Sequence, residues 1–266
     1  MLGLIASLVR VRRLDFGEEA SLVQHLDELR RRLVIVLFVA GLVFLVAFWR
    51  RDDIFSILNS PLPRGLVRQG LLTTEIGEAF TISLTVAFYA TLLITLPLFF
   101  YQFYAFIIPA ASEDIARRMR PMLVFVPLLF TVGVVFGYFL IIGPATGFLF
   151  GFSKGALQEH PRAKSVYSLE AMIMFVMGAV FEMPAAVWVL ARIGVLNAGM
   201  MRRNRRVAIV IMAVLAAALP TTDIVSMLLE LGTILALYEI SIFVATGAGR
   251  SREASRDAAG QAAAES

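Results

Sequence analysis

Six long apolar stretches separated by charged loops dominate this chain. They run approximately over Leu33–Trp49, Ala79–Ile108, Met122–Phe150, Ala171–Leu190, Val207–Leu219 and Ile224–Thr246. A helix needs about 20 apolar residues to cross a bilayer, and most of these stretches reach that length. Within lipid every backbone polar group must be satisfied internally. The expected fold is therefore all-α: a polytopic membrane protein of six transmembrane helices, preceded by an N-terminal amphipathic helix. The chain is 59% hydrophobic over 266 residues, which excludes a soluble globular class and suits one membrane domain.

The net charge of +4 is basic, but the Lys and Arg are grouped in particular loops. With six spans, both termini share one side, and that side holds 17 of the 24 Lys and Arg residues. Positive-inside bias then places both termini in the cytoplasm, and no nucleic-acid partner is expected. The chain has no cysteine and only two histidines, His25 and His160. Neither a disulfide nor a Cys-ligated metal is available, and no cofactor or metal site is expected. Met1–Val9 is apolar, but Arg10, Arg12 and Arg13 follow rather than precede it. That order predicts an interfacial segment over 1–20 rather than a cleaved leader. The small polar tail, 247–266, is expected to be a disordered cytoplasmic extension.

Ser21–Leu33 reads as a helix lying on the membrane. Leu22, Leu26, Leu29 and Leu33 form one stripe, and Asp27–Arg31 and Glu28–Arg32 are i,i+4 pairs on its wet side. Pro97 should kink or break the second span, and Pro144 should interrupt the third. Gly133/Gly137 and Gly143/Gly147 are small-xxx-small pairs that invite close helix approach. The fifth stretch has 13 residues, about 20 Å of helix, and the turn Pro220–Asp223 makes it a tight hairpin with the sixth.

Acids inside spans need a reason to be there. Glu182 sits near the middle of the fourth stretch. Glu230 and Glu239 lie nine apart on the sixth, and Asp223 caps its outer end. No Lys or Arg lies within the stretches, so these acids lack an obvious internal cation. They suit a partner's cation, a proton or a polar helix face. Gly151-Phe-Ser-Lys-Gly155 matches a hydrolase elbow by letter but not by setting. No P-loop, dinucleotide fingerprint or H-E-x-x-H is present, so no enzyme is expected.

Taken together the motifs resemble the TatC family, the multispanning receptor subunit of the twin-arginine protein translocase. His25-Leu-Asp-Glu28-Leu-Arg30-Arg-Arg-Leu33 is similar to the family's H-L-x-E-L-R-x-R-L. Tyr101-Gln102-Phe-Tyr104-Ala-Phe106-Ile-Ile-Pro109 is similar to its motif at the end of span two. Phe181-Glu182-Met-Pro184 resembles its F-E-x-P. Asp223, with Leu237-Tyr238-Glu239-Ile240-Ser241 beyond it, resembles its last span, and Pro61 occupies a favoured proline position in the first outer loop. The likeness covers residues 21–246, the expected membrane domain.

The resemblance implies that Glu28 binds the paired arginines of a signal peptide and that Arg30 orients that site. The family usually has a further Glu where this chain has Ile115, so Glu113 or Asp114 would supply the second acid. Gln102 and Glu182 would line a membrane cavity facing the signal peptide or a partner helix. Asp223, Glu230 and Glu239 are further candidates for partner contact, Glu230 being an additional acid at an ordinarily apolar place. The implied partners are twin-arginine signal peptides with their folded cargo, single-span TatA- and TatB-like subunits in an oligomeric complex, and the lipid bilayer. The implied setting is the inner membrane of a prokaryote, with export driven by the proton-motive force. Carboxylates suit this ligand because Arg pairs with them bidentately. The alternative is a proton-coupled secondary transporter of a small solute. That class usually shows internal repeats, and none is visible here.

Overall fold

The computed structural model describes residues 22–73, 75–107, 121–152, 161–217 and 224–264. Segment 1–20, the turn 220–223 and the acidic stretch holding Glu113 and Asp114 lie outside them. The described residues are helical apart from short connections. In chain order the helices are α1 (Leu22–Trp49), α2 (Arg51–Asn59), α3 (Arg64–Gln69), α4 (Glu78–Ile107), α5 (Met122–Phe136), a π-turn (Gly137–Ile141), α6 (Ile142–Phe152), α7 (Ala163–Phe181), α8 (Met183–Ile193), α9 (Ala198–Arg203), α10 (Arg205–Ala217) and α11 (Ile224–Ala264).

Among the described residues, five stretches are long and apolar enough to cross a membrane: Leu26–Trp49, Glu78–Phe106, Met122–Phe152, Ala163–Arg192 and Ile224–Gly247. They carry bulky apolar side chains outward, such as Phe38, Phe139 and Phe243. So many exposed hydrophobes would aggregate in water and are at home in lipid. The fifth apolar stretch forms α10, which at 13 residues is shorter than those five.

Three expectations change. The amphipathic turns over 22–33 are not a separate helix: α1 is continuous from Leu22 to Trp49, because neither Gly nor Pro breaks its early register. The tail is not loose up to Ala264, since α11 continues that far; its alanine-rich composition favours helix. The fourth span begins at Ala163, eight residues earlier than the apolar run indicates. A bridge fixes that start: Leu72 donates its N–H to Pro161 (3.1 Å), and Ala163 donates to Leu72 (3.0 Å).

The prolines act locally. α4 runs through Pro97 without a break. Ahead of Pro144 the chain widens into the π-turn, in which Ile142 N–H reaches back to the Gly137 carbonyl. A one-residue widening accommodates a ring that would otherwise crowd the preceding turn. The Gly133/Gly137 pair holds α5 against α7. A Cβ on Gly133 would stand 2.5 Å from the Met177 carbonyl oxygen, and one on Gly137 3.1 Å from Met177 Cβ. Gly178 reciprocates from α7, where a Cβ would meet the Phe130 ring at 2.6 Å. Gly147, by contrast, faces open space, so the second glycine pair is not a contact of this kind.

α1 packs on α4, α4 on α5 and α7, and α8 and α10 on α11. The main core lies among α4, the π-turn, α6 and α7, around Val86, Ile141, Ile142, Ile173 and Met177. A smaller core joins α8, α9 and α11 around Val187, Met201 and Ile242.

Candidate functional site

The start of α1 and the end of α4 meet at one end of the bundle. Arg32 bridges them and is only 9% exposed. Its Nε and Nη2 both donate to Glu28 Oε1, at 3.0 and 2.5 Å, and its Nη1 donates to Gln102 Oε1 at 2.9 Å. The i,i+4 spacing brings Glu28 and Arg32 onto one face, as expected, but that face is half-buried against α4 rather than wet. Since Arg32 loads a single carboxylate oxygen, Glu28 Oε2 accepts no hydrogen bond among the described residues. Glu28 is thus held in place with one oxygen to offer.

Arg30 is exposed and forms no ion pair among the described residues. Two residues along a helix is a rotation of about 200°, so Arg30 lies away from Glu28. The arginine touching the acid is Arg32, two positions beyond the one the motif points to. Glu113 and Asp114 lie outside the described residues.

Glu182 falls where the fourth span breaks. It closes α7 and opens α8, its N–H bonding to the Ala179 carbonyl at 3.2 Å, while its own carbonyl receives Ala186 N–H at 2.9 Å. Pro184, in the first turn of α8, supplies the reason: it has no N–H to continue the ladder and suits a helix start. The side chain is partly exposed, yet Oε1 is buried without a hydrogen-bond partner among the described residues. Tyr104 of α4 lies within electrostatic reach of this carboxyl. α4 thus connects with both acids: Gln102 through Arg32 to Glu28, and Tyr104 to Glu182.

The remaining acids divide. Glu239 does have a cation, contrary to the expectation: Arg205 Nη2 donates to its Oε2 at 2.6 Å. Arg205 stands at the first residue of α10, beside the α11 turn that carries Glu239, and both side chains are about half exposed. Tyr238 next to it donates to the Met201 carbonyl at 2.9 Å, tying α11 to α9. Glu230 is 2% exposed inside the bundle. Asp223 lies outside the described residues. Pro61 sits in the link between α2 and α3, and its carbonyl oxygen would lie 3.7 Å from a Cβ on Gly143, so this link rests on α6.

One acid escapes a reading of apolar runs. Glu170 is wholly buried in α7, and neither carboxylate oxygen finds a hydrogen-bond partner among the described residues. It belongs to loop when the span is started at Ala171. Its signal was the buried face Ala163, Val166, Tyr167, Ile173 and Met177, which recurs at helical spacing on either side.

The fold and its polar positions define a multi-pass helical membrane protein, with one acid held beside an arginine at a bundle end and another at a helix break. A family model described as "Sec-independent protein translocase protein (TatC)" matches residues 24–231. The TatC of Koribacter versatilis is 35% identical over 232 residues, covering 85% of this chain and 84% of that one. The TatC of Escherichia coli strain K12 is 29% identical over 236 residues, covering 87% and 92%. A crystal structure of the twin-arginine translocase receptor TatC in DDM aligns with a TM-score of 0.72 at 30% identity, covering 84% of this chain and 99% of that one. The chain belongs to the TatC family.

Proposed function

We propose that this protein is the signal-peptide receptor of a twin-arginine translocase, with Glu28 as the residue that engages the paired arginines. Family membership supports a protein-translocase component rather than a solute transporter. The observation that supports the site is Glu28 held by Arg32 through Oε1, with Oε2 accepting no hydrogen bond among the described residues. A guanidinium approaching from the membrane surface can take that oxygen without displacing Arg32. Such charged hydrogen bonds are the stronger kind. Arg32 is then the positioning residue, locked in turn by Gln102; Arg30 contributes charge from the exposed face. Glu113 or Asp114, in the sequence that follows α4, supplies the second acid.

Glu182, Tyr104 and the break at Pro184 form a polar spot for a single-span partner helix or the inserted signal peptide. Glu239 and Glu230, both on α11, and Asp223 are further candidates for contact with the same kinds of partner. The protein works as a multi-subunit, non-enzymatic complex in the inner membrane of a prokaryote, with both termini cytoplasmic. Residues 21–246 form the membrane unit, with segment 1–20 at the interface and the tail in the cytoplasm. α10, about 20 Å long, crosses as a short sixth span beside α11. The basic asymmetry supports this orientation. Reporter fusions after Arg162 should read as external and those after Arg203 as cytoplasmic; the reverse at both positions overturns it. The receptor reading is tested by titrating a twin-arginine signal peptide against the intact protein and its Glu28→Gln variant. Equal affinity of the two would sink it.

A further inference from the structure

At the bundle end opposite Glu28, α2, α3 and the starts of α4 and α7 enclose a cavity of about 310 Å³, open on one side. Its walls are mainly apolar, including Phe55, Leu62, Leu66, Leu71 and Ile82. Its polar groups are few: Tyr167 O–H donates to Asn59 Oδ1 at 3.2 Å, and Ser83 O–H to the Ala79 carbonyl at 2.8 Å. A largely apolar, preformed hollow of this size sits at the lower end of the range that takes small apolar ligands.

Cations stand next to its lining residues along the chain. Arg64 and Arg68, on α3, flank the lining pair Leu66 and Val67, and Arg162 and Lys164 flank the lining residue Ala163. The Leu72–Arg162 bridge holds this second pair against the 70–73 segment. All four side chains are exposed, and none forms an ion pair among the described residues. Two acids lie nearby, Glu75 and Glu78. The latter's Oε2 accepts the Glu75 N–H at 3.2 Å and so serves the helix start. Arg50 and Arg51, by contrast, pair with Asp53 and Asp52. Charge therefore collects around the hollow on a membrane face that is otherwise poor in Lys and Arg. The same segment turns bulky apolar groups outward: Ile57, Val67, Leu72 and Ile76 are all exposed. A cap with that surface rests in the lipid interface rather than in water.

We infer that this hollow binds an anionic phospholipid of the leaflet it faces, with one acyl chain inside and the phosphate beside Arg64, Arg68 and Arg162. The apolar walls take the chain, the exposed cations take the headgroup, and the outward apolar residues keep the mouth at headgroup level. The site is independent of the Glu28 reading.

The test uses the intact chain in nanodiscs containing trace phosphatidylglycerol with a photoactivatable group on one acyl chain, or the matching phosphatidylcholine. Labelling by phosphatidylglycerol should concentrate in peptides spanning 55–83 and 161–171. The zwitterionic lipid should label these peptides at least about fivefold less, the factor expected from one surface cation. The double change R64Q/R68Q lies on exposed positions and leaves folding intact. It should cut phosphatidylglycerol labelling about tenfold or more and leave phosphatidylcholine labelling unchanged. Ser83→Phe fills the hollow and should reduce both. Equal labelling by the two lipids, labels spread evenly over the spans, or an R64Q/R68Q protein labelled as strongly as the parent would overturn the proposal. Complete displacement by inorganic phosphate would reassign the site to a free anion. Displacement by a twin-arginine signal peptide that itself labels the hollow would reassign it to that peptide.

Discussion

Glu28 and Glu182 are both motif acids near α4, yet the molecule treats them in opposite ways. Glu28 stands where the bundle meets the interface, and a buried arginine spends two donors on one of its oxygens. Glu182 stands at a break inside a span, and among the described residues no Lys or Arg pairs with it and its buried Oε1 has no hydrogen-bond partner. A carboxylate held beside a fixed cation, with its second oxygen accepting no hydrogen bond among the described residues, suits a charged hydrogen-bond donor. An acid facing lipid or protein without a cation suits a hydrogen-bonding partner, because leaving a buried polar group unmatched is costly. On the proposed function, the comparison separates a candidate site for arginines from a candidate site for a partner helix.

The most severe break of this contrast is a charge reversal at Glu28. Glu28→Lys should abolish measurable signal-peptide binding, since it repels the ligand. Glu28→Gln should weaken binding by about 10- to 150-fold, the worth of one charged hydrogen bond of roughly 1.5–3 kcal/mol. Isothermal titration with a twin-arginine peptide measures both, and a twin-lysine peptide should bind the parent more weakly.

Glu182 should respond differently. Glu182→Ala should leave signal-peptide affinity within about twofold of the parent and thermal stability within about 1 kcal/mol, because Oε1 has no hydrogen-bond partner in the described chain to lose. Transport should fall, and a crosslinker at the exposed Ala179 should capture less of a single-span partner. A Glu182→Ala protein with full transport and full capture would erase the difference between the two acids.

Arg32 and Arg30 sharpen the comparison from the cation's side. Arg32→Gln leaves Glu28 half-buried without its counter-charge and unlinks it from Gln102. It should cost about 1.5–3 kcal/mol in stability and weaken peptide binding, whereas Arg30→Gln should cost less than about 0.5 kcal/mol. Paired unfolding and binding curves check the ranking. The smallest effect belongs to Arg205 and Glu239. Their 2.6 Å pair is about half exposed, so a double-mutant cycle should return a coupling of about 0.2–1 kcal/mol that shrinks in high salt. A larger value would mean that α10 depends on this pair to stay beside α11.

Much of this could be read before any fold was known. Length and apolarity predict the helices because lipid leaves a spanning chain almost no other backbone solution. The motif acids were visible as charges that apolar segments must justify. Glycines 133 and 137 were legible as close-approach positions, and the structure presses both against Met177. Glu170 was not legible as an intramembrane acid, because hydropathy starts the span at Ala171. The start at Ala163 depends on the bridge between Arg162 and Leu72, 90 residues earlier in the chain.

Sequence by itself determined the class of protein, the approximate run of the spans and most of the acids inside them. Those follow from local composition and from the bilayer's intolerance of unpaired polar groups. Tertiary packing alone decided that Arg32 rather than Arg30 holds Glu28, that Arg205 answers Glu239, and that α2 and α3 enclose a hollow over the starts of α4 and α7. Each depends on which helix faces which across the bundle. A side chain's partner on another helix is set by packing angle and depth, and neither quantity is contained in a residue's immediate neighbours along the chain.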